Sequence, residues 1–214
     1  MSPRLLTSIL VLGSFPLLAQ TPGPASAGVA HTSDIGFSYS IPADWEVVDT
    51  KPTLPAVQAE VAKTAKSEDE KKGIACVQVA LTARHGDPAS VVVVVALPYD
   101  CYGTTMTEKD LPGFGSGAAE GIKNTFNISN AVQGAYTVGT HNMWVERADG
   151  VLKDSPGVNY TVETVCSVLK KGAVCWMAMA ADKAGLQTFE NGAVALDGEA
   201  PAALVPATAF QKKP

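Results

Sequence analysis

The stretch VETVCSVLKKGAVCWMAMA, Val162 to Ala180, decides the architecture. Two β-rich runs flank Lys170, Lys171 and Gly172, a spacing that predicts an antiparallel hairpin. Two registers are open. With Lys170 and Lys171 as a two-residue loop, Leu169 faces Gly172 and Cys166 falls opposite Cys175. That pair is non-hydrogen-bonded, so its side chains approach closely enough for a bridge. With a three-residue loop closed by a left-handed Gly172, Cys166 faces Trp176 and the two thiols point to opposite faces. A Cys166–Cys175 disulfide therefore reports the register, and the first register is expected.

The N-terminus bears on whether those thiols are oxidised. Arg4 gives a short positive region, Leu5 to Ala19 is apolar but broken by Gly13, Ser14 and Pro16, and Ala25-Ser26-Ala27 is a small-x-small end. Residues 1–27 thus read as a secretory signal peptide, cleaved after Ala19 or after Ala27. The run is shorter than the roughly 20 apolar residues of a bilayer span. No cysteine lies near the cleavage region, which argues against a lipoprotein. Val91 to Pro98 is apolar but far too short to cross, so no transmembrane segment is expected in the mature chain. The expected location is secreted or periplasmic. There the four cysteines form two bridges. No CxxC pair occurs, so zinc or a redox dithiol is not indicated, and by elimination Cys76 pairs with Cys101.

Working outward from the hairpin, the rest of the chain alternates strands with a few helical patterns. Residues 28–33 are expected to be a loose N-terminal segment, 34–197 a single domain, and 198–214 an Ala/Pro-rich tail. Phe37, Tyr39 and Ile41 alternate with Ser38 and Ser40, giving one apolar face. Pro42-Ala43-Asp44 breaks that run before Trp45, Val47 and Val48 resume it. Leu54, Val57, Val61 and Ala65 recur at helical spacing, with Thr53 as a possible cap and Pro55 in the first turn. Ser67 to Lys72 reads as a solvated loop. Its acidic residues lack the alternating oxygen ligands and glycine of a calcium loop. Ile74 to Arg84 alternates. Val91 to Ala96, five valines and an alanine, predicts a strand covered on both faces and hence central in its sheet. Thr107 to Phe126 is a helical region that Gly113, Gly115, Gly117 and Gly121 make poor in intrinsic propensity. Extended runs follow at Ala131 to Val138 and His141 to Arg147, then the Val158 to Ala180 hairpin, and a short helix over Asp182 to Asn191 with Leu186 and Phe189 inward. Strands adjacent in sequence and joined by tight turns predict an α+β fold, an antiparallel sheet with helices packed on it.

The order of an aromatic strand, Ile41-Pro42, Trp45 and a second strand resembles the start of PsbP-like domains, with Phe37 and Tyr39 before the motif. The later succession of helix, strands, glycine-broken helix and antiparallel meander is similar too, over about Asp34 to Leu196. The resemblance implies an α/β/α sandwich around an antiparallel sheet. It implies little about role, since that fold serves accessory proteins of several kinds as well as exported bacterial proteins, and the cysteines match no family pattern.

The 214 residues are 46% hydrophobic and 17% charged, with a formal net charge of −5. The acidic balance and the absence of a dense Lys/Arg cluster argue against nucleic acid as a partner. No HExxH, P-loop or glycine-flanked serine elbow occurs, and the scattered acidic residues fix no carboxylate pair. No catalytic or metal-ligating set is read, and no cofactor is indicated. The candidate binding residues are Tyr99, Asp100 and Tyr102, in a polar-aromatic loop that follows the central strand, and His141 at a strand start. Trp45, Trp144 and Trp176 read as packing residues. Asn127 to Ser129 and Asn159 to Thr161 match glycosylation sequons. Two functions follow as expectations. The first is an exported, non-enzymatic accessory or binding protein of the envelope, acting on a protein partner or small molecule. The second is a hydrolase-type enzyme with a site near His141 and the Tyr99–Tyr102 loop.

Overall fold

The structure is a computed structural model, which describes residues 30–42, 44–50, 53–63, 65 and 67–211. The proposed signal peptide lies outside them. The strands are β1 (Ala30–Ser33), β2 (Phe37–Ser40), β3 (Glu46–Val47), β4 (Gln78–His85), β5 (Ser90–Pro98), β6 (Phe126–Val138), β7 (His141–Leu152), β8 (Asn159–Val168), β9 (Gly172–Ala180), β10 (Ala193–Leu196) and β11 (Ala202–Ala203). The helices are α1 (Leu54–Ala62), α2 (Glu68–Cys76), α3 (Tyr99–Tyr102), α4 (Leu111–Ile122) and α5 (Lys183–Glu190).

Seven strands form one antiparallel sheet in the order β3-β4-β5-β9-β8-β7-β6. The predicted hairpin lies at its centre. Leu169 N–H donates to the Gly172 carbonyl at 2.8 Å, closing a two-residue loop at Lys170-Lys171. That phase places Cys166 opposite Cys175, with their Cα atoms 4.2 Å apart and the disulfide formed. The Cys76–Cys101 bridge joins α2 to α3. β5 lies inside the sheet, between β4 and β9, as its unbroken apolar run requires. All nine residues of β9 are buried, for the same reason.

Each face of the large sheet has its own cover. On one face Leu111, Phe114, Ala118 and Ala119 of α4 pack with Trp144, Cys166 and Cys175, and Cys76 of α2 and Tyr99 of α3 join them. The glycines of α4 have a packing reason. An ideal Cβ on Gly115 would stand 2.2 Å from Trp144 Cε3, so the helix backbone lies directly on the indole ring. On the other face a second sheet, β1-β2-β10-β11, and α5 cover Val92, Val94, Val145, Val165 and Trp176 with Phe37, Tyr39, Val194, Leu196 and Phe189. The alternation in β2 thus aims Phe37 and Tyr39 into the main core, where Phe37 meets Trp176 edge-on at 5.5 Å. The fold is α+β, as the sequence predicts, with α5 and the small sheet sharing one outer layer.

Four expectations are corrected. Ala30–Ser33 is not loose: it pairs along its length with β2. Residues 68–76 form α2, not a loop. Ser67 accepts from Glu70 N–H at 3.1 Å, and Glu68, Asp69 and Glu70 occupy the first turn, where their charge complements the helix dipole. Thr53 stands at the start of α1 but makes no side-chain cap; its hydroxyl donates back to Thr50 O at 3.1 Å. Residues 198–214 are not merely a tail. Leu204, Val205 and Ala209 are in the main core, because the segment 204–211 folds back across β6.

Candidate functional site

Tyr99, Asp100 and Tyr102 form the single-turn α3, pinned by Cys101 to α2. Tyr99 is buried, its hydroxyl 3.5 Å from the Met106 carbonyl. Burial pushes that hydroxyl up to about 12, and the nearby charges of Asp110 and Asp197 act the same way, so it stays protonated. Asp100 is spent locally, accepting from Cys101 N–H at 2.8 Å. Tyr102 is half-buried, and burial raises its hydroxyl too. The loop is a braced corner. His141, the first residue of β7, sits elsewhere in a knot of turns. Its Nε2 lies 3.5 Å from Asp197 Oδ2 and 3.7 Å from Glu199 Oε1. Asp197 also accepts from Lys170 N–H at 3.2 Å and donates its own N–H to Gly36 O at 2.6 Å. Glu199 accepts from Thr140 N–H at 3.0 Å and from the Thr140 hydroxyl, bonds that hold its carboxyl below the usual range. His141 therefore helps tie four turns together. Among the described residues no hydroxyl or thiol is hydrogen-bonded to it as a nucleophile, and no hydrogen bond joins it to the Tyr99–Tyr102 loop.

A concavity lies at the outer edge of β6. It is a groove of about 780 Å³ between the start of α4, at Lys109 and Pro112, and the C-terminal segment, at Pro206 and Thr208, with Ala135 and Thr137 of β6 between them. Strand phase decides what β6 presents there. The loop Gly139-Thr140 has two residues, and Gly139 takes φ +56°, as the first position of such a turn favours. Val138 and His141 then close the hairpin as a hydrogen-bonded pair, as do Tyr136 with Met143 and Gly134 with Val145. Gln133, Ala135 and Thr137 consequently turn their N–H and C=O groups away from β7. Among the described residues these six groups have no partner. Residues 126 to 138 also contain no charged residue and no proline, and Val132 is 52% exposed. The opposite edge, β3, is only two residues long and carries the Glu46–Arg84 ion pair at 2.8 Å. One edge is blunted in the usual way and the other is not.

Behind the groove lies a buried ionic cluster. Arg147 of β7 donates through Nε to Glu163 of β8, directly opposite in register, and through its terminal nitrogen to Glu190 of α5. The Phe210 ring stacks on the guanidinium at 4.3 Å. Glu163 is 0% exposed and its Oε1 has no partner. Burial pushes its carboxyl up to about 7 against the opposing pull of Arg147, and burial raises Glu190 as well. The sequence reading missed both the groove and this cluster. Arg147 and Glu163 were visible as charges inside apolar runs, a signal for a buried pair once the strands are in register.

No group of three or more His, Cys, Asp or Glu side chains that could hold a metal occurs among the described residues. No helix among them is long and apolar enough to cross a membrane. The two disulfides point to an oxidising compartment. No protein-family model and no curated protein matches the chain. Among solved structures, it is similar to the solution structure of cyanobacterial PsbP (CyanoP) from Synechocystis sp. PCC 6803, at 14% identity and a TM-score of 0.40, over 77% of this chain and 87% of that one.

Proposed function

We propose that this chain is an exported, non-enzymatic binding protein of the cell envelope. Its groove takes up an extended segment of a partner protein as an added strand on β6. The observation that carries the reading is the row of six unpaired backbone groups at Gln133, Ala135 and Thr137, of which Ala135 and Thr137 line the groove. Main-chain pairing supplies affinity in this mode, and flanking walls supply selectivity. The two disulfides support export, because structural bridges are rare in reducing compartments.

The test is panning of extended eight- to ten-residue peptides against the oxidised protein, followed by titration of the best binder. Ala135→Pro removes an outward N–H and leaves the ladder to β7 intact, a position where an edge strand tolerates proline. Saturable binding that falls at least tenfold in Ala135→Pro is expected. No saturable binder, or binding indifferent to Ala135→Pro in a protein of unchanged fold, overturns the reading. A parallel assay on generic ester, phosphate and glycoside substrates, with His141→Ala as control, is expected to show only background in both proteins.

A further inference from the structure

The segment Leu204 to Gln211 is a strap that touches β6, β7 and the end of α5. Tyr136 donates its hydroxyl to Leu204 O at 2.6 Å. Val205 N–H donates to Glu190 O at 2.9 Å. Ala209 lies on Gly134, where an added Cβ would come within 2.4 Å of the Ala209 carbonyl oxygen. Phe210 closes over Arg147. The same strap forms one wall of the groove through Pro206, Thr208 and Gln211.

What the strap seals is out of charge balance. One guanidinium serves two carboxylates, so the cluster carries a surplus negative charge when both are ionised. One of its oxygens, Glu163 Oε1, is buried without a donor. The groups facing it are Arg147 from β7, Glu190 from α5 and Tyr136 from β6, whose hydroxyl is raised by burial and by the two carboxylates. β9 contributes only Ala178, opposite Glu163. The strap itself has no titratable side chain. A dry, under-compensated carboxylate is relieved either by a proton or by water.

We propose that the Glu163–Arg147–Glu190 cluster is a pH-sensitive latch that holds the strap, and so one wall of the groove, closed while the carboxylate pair retains a proton and loosens it when that proton is lost. The proposal rests on the groove reading only for its consequence, the regulation of that site. The sign follows from the environments. Under the closed strap burial holds the Glu163 carboxyl near 7; a lifted strap that admits water moves it down toward the ordinary range near 4.3. The closed form therefore holds more protons between these values, and closure weakens as pH rises through them.

Amide hydrogen exchange of the full chain at pH 5.5 and pH 8, expressed as protection factors, tests this without any ligand. Protection at Val205 and Ala209 is expected to fall by about tenfold or more at the higher pH, while amides of β9 hold. In Glu163→Gln, which keeps an acceptor for Arg147 but cannot ionise, the fall is expected to shrink to the part due to Glu190. Equal protection at both pH values, or an undiminished fall in Glu163→Gln, overturns the latch. Should that variant not fold, the carboxyl carbon of Glu163 in the unmutated protein decides by NMR: a midpoint near 7 supports the latch and one near 4.3 overturns it. Because the readout is on the unliganded strap, a groove that binds no peptide leaves this result untouched, and a latch that fails leaves the Ala135→Pro result untouched.

Discussion

At the scale of single residues, two positions show how this chain trades local preference for packing. Gly115 lies inside α4, where alanine is favoured over glycine by roughly 1 kcal/mol. Its Cβ would nonetheless overlap the Trp144 ring at 2.2 Å, and overpacking of a filled core costs typically 1–3 kcal/mol. Trp144 is held on its other sides, only 5% exposed and in the cluster with Cys166 and Cys175, so the ring has little room to give. Gly115→Ala is therefore expected to destabilise, by about 1 kcal/mol or more, despite its better propensity. Urea denaturation of the two proteins decides it, and a stabilised variant would mean that α4 can slide on the ring. Trp176 shows the opposite economy. It is fully buried with its indole N–H unpartnered, and its place rests on Phe37 and Tyr39 packing against it.

At the scale of elements, the two disulfides do different jobs. Cys166–Cys175 links strands already paired along their whole length, across a sequence separation of 9. Cys76–Cys101 has a separation of 25 and joins α2 to α3, elements whose direct contact is small. The chain-entropy account assigns roughly 2.5–3.5 kcal/mol to loops of these lengths, more for the longer one. Replacing Cys76 and Cys101 by serine is expected to be the more damaging locally: exchange should quicken in α2 and in residues 99–110 first, with β8 and β9 still protected. Uniform loss across the sheet would contradict this division. Helix α2 offers a smaller check. Ser67→Ala removes its N-cap and is expected to cost about 1 kcal/mol. This helix was legible: Ser67 with Glu70 three residues on is the spacing of a capping box, hidden by reading a charged run as loop. The β8–β9 register was legible because a two-residue turn phases both cysteines. The small sheet was half legible. The alternation of Phe37 and Tyr39 marked β2, and Ala30–Ser33 is its local hairpin mate, but the pairing of Val194 with Tyr39 is long-range. The strap could not be read. Its Ala/Pro composition matches a tail, and what holds it, Gly134 and Tyr136, lies about 70 residues away. The groove depends on the strap and was invisible for the same reason, whereas the oxidised cysteines and the braced Tyr99–Tyr102 corner needed only local spacing.

At the scale of the whole molecule, the buried cluster sets how stability responds to pH. Glu163 titrates near 7 when folded and in the ordinary range near 4.3 when unfolded. A group raised in this way leaves the native state holding the extra proton, so its favourable contribution is complete below the unfolded value and is lost as pH climbs to the folded one. Glu190, raised in the same direction, adds to the trend. At one pKa unit per 1.36 kcal/mol the loss for Glu163 is at most roughly 4 kcal/mol, and Arg147 shares in any rearrangement that softens it. Two exposed carboxyls work from the acid side. Asp110, bonded by the Thr107 N–H and hydroxyl, and Glu199, bonded by Thr140, are both lowered, so what they contribute is present above the ordinary carboxylate range and vanishes as pH falls through their folded values. His31, lowered by burial, opposes the Glu163 trend, but it is only partly buried and so is screened. The two sides meet in the ordinary carboxylate range, about pH 4 to 5. Stability is therefore expected to peak there and to decline toward pH 8, an acidic optimum for a protein whose formal charge is −5. Guanidinium titrations at pH 4, 5, 6.5 and 8 trace the curve. In Glu163→Gln the decline above pH 5 is expected to shrink to the part due to Glu190, and the variant to be more stable than the parent at pH 8. A parent curve that rises from pH 5 to pH 8 would show that Arg147 keeps Glu163 ionised throughout. Glu163 would then lose no proton over this range, and its titration would leave no free energy to lift the strap.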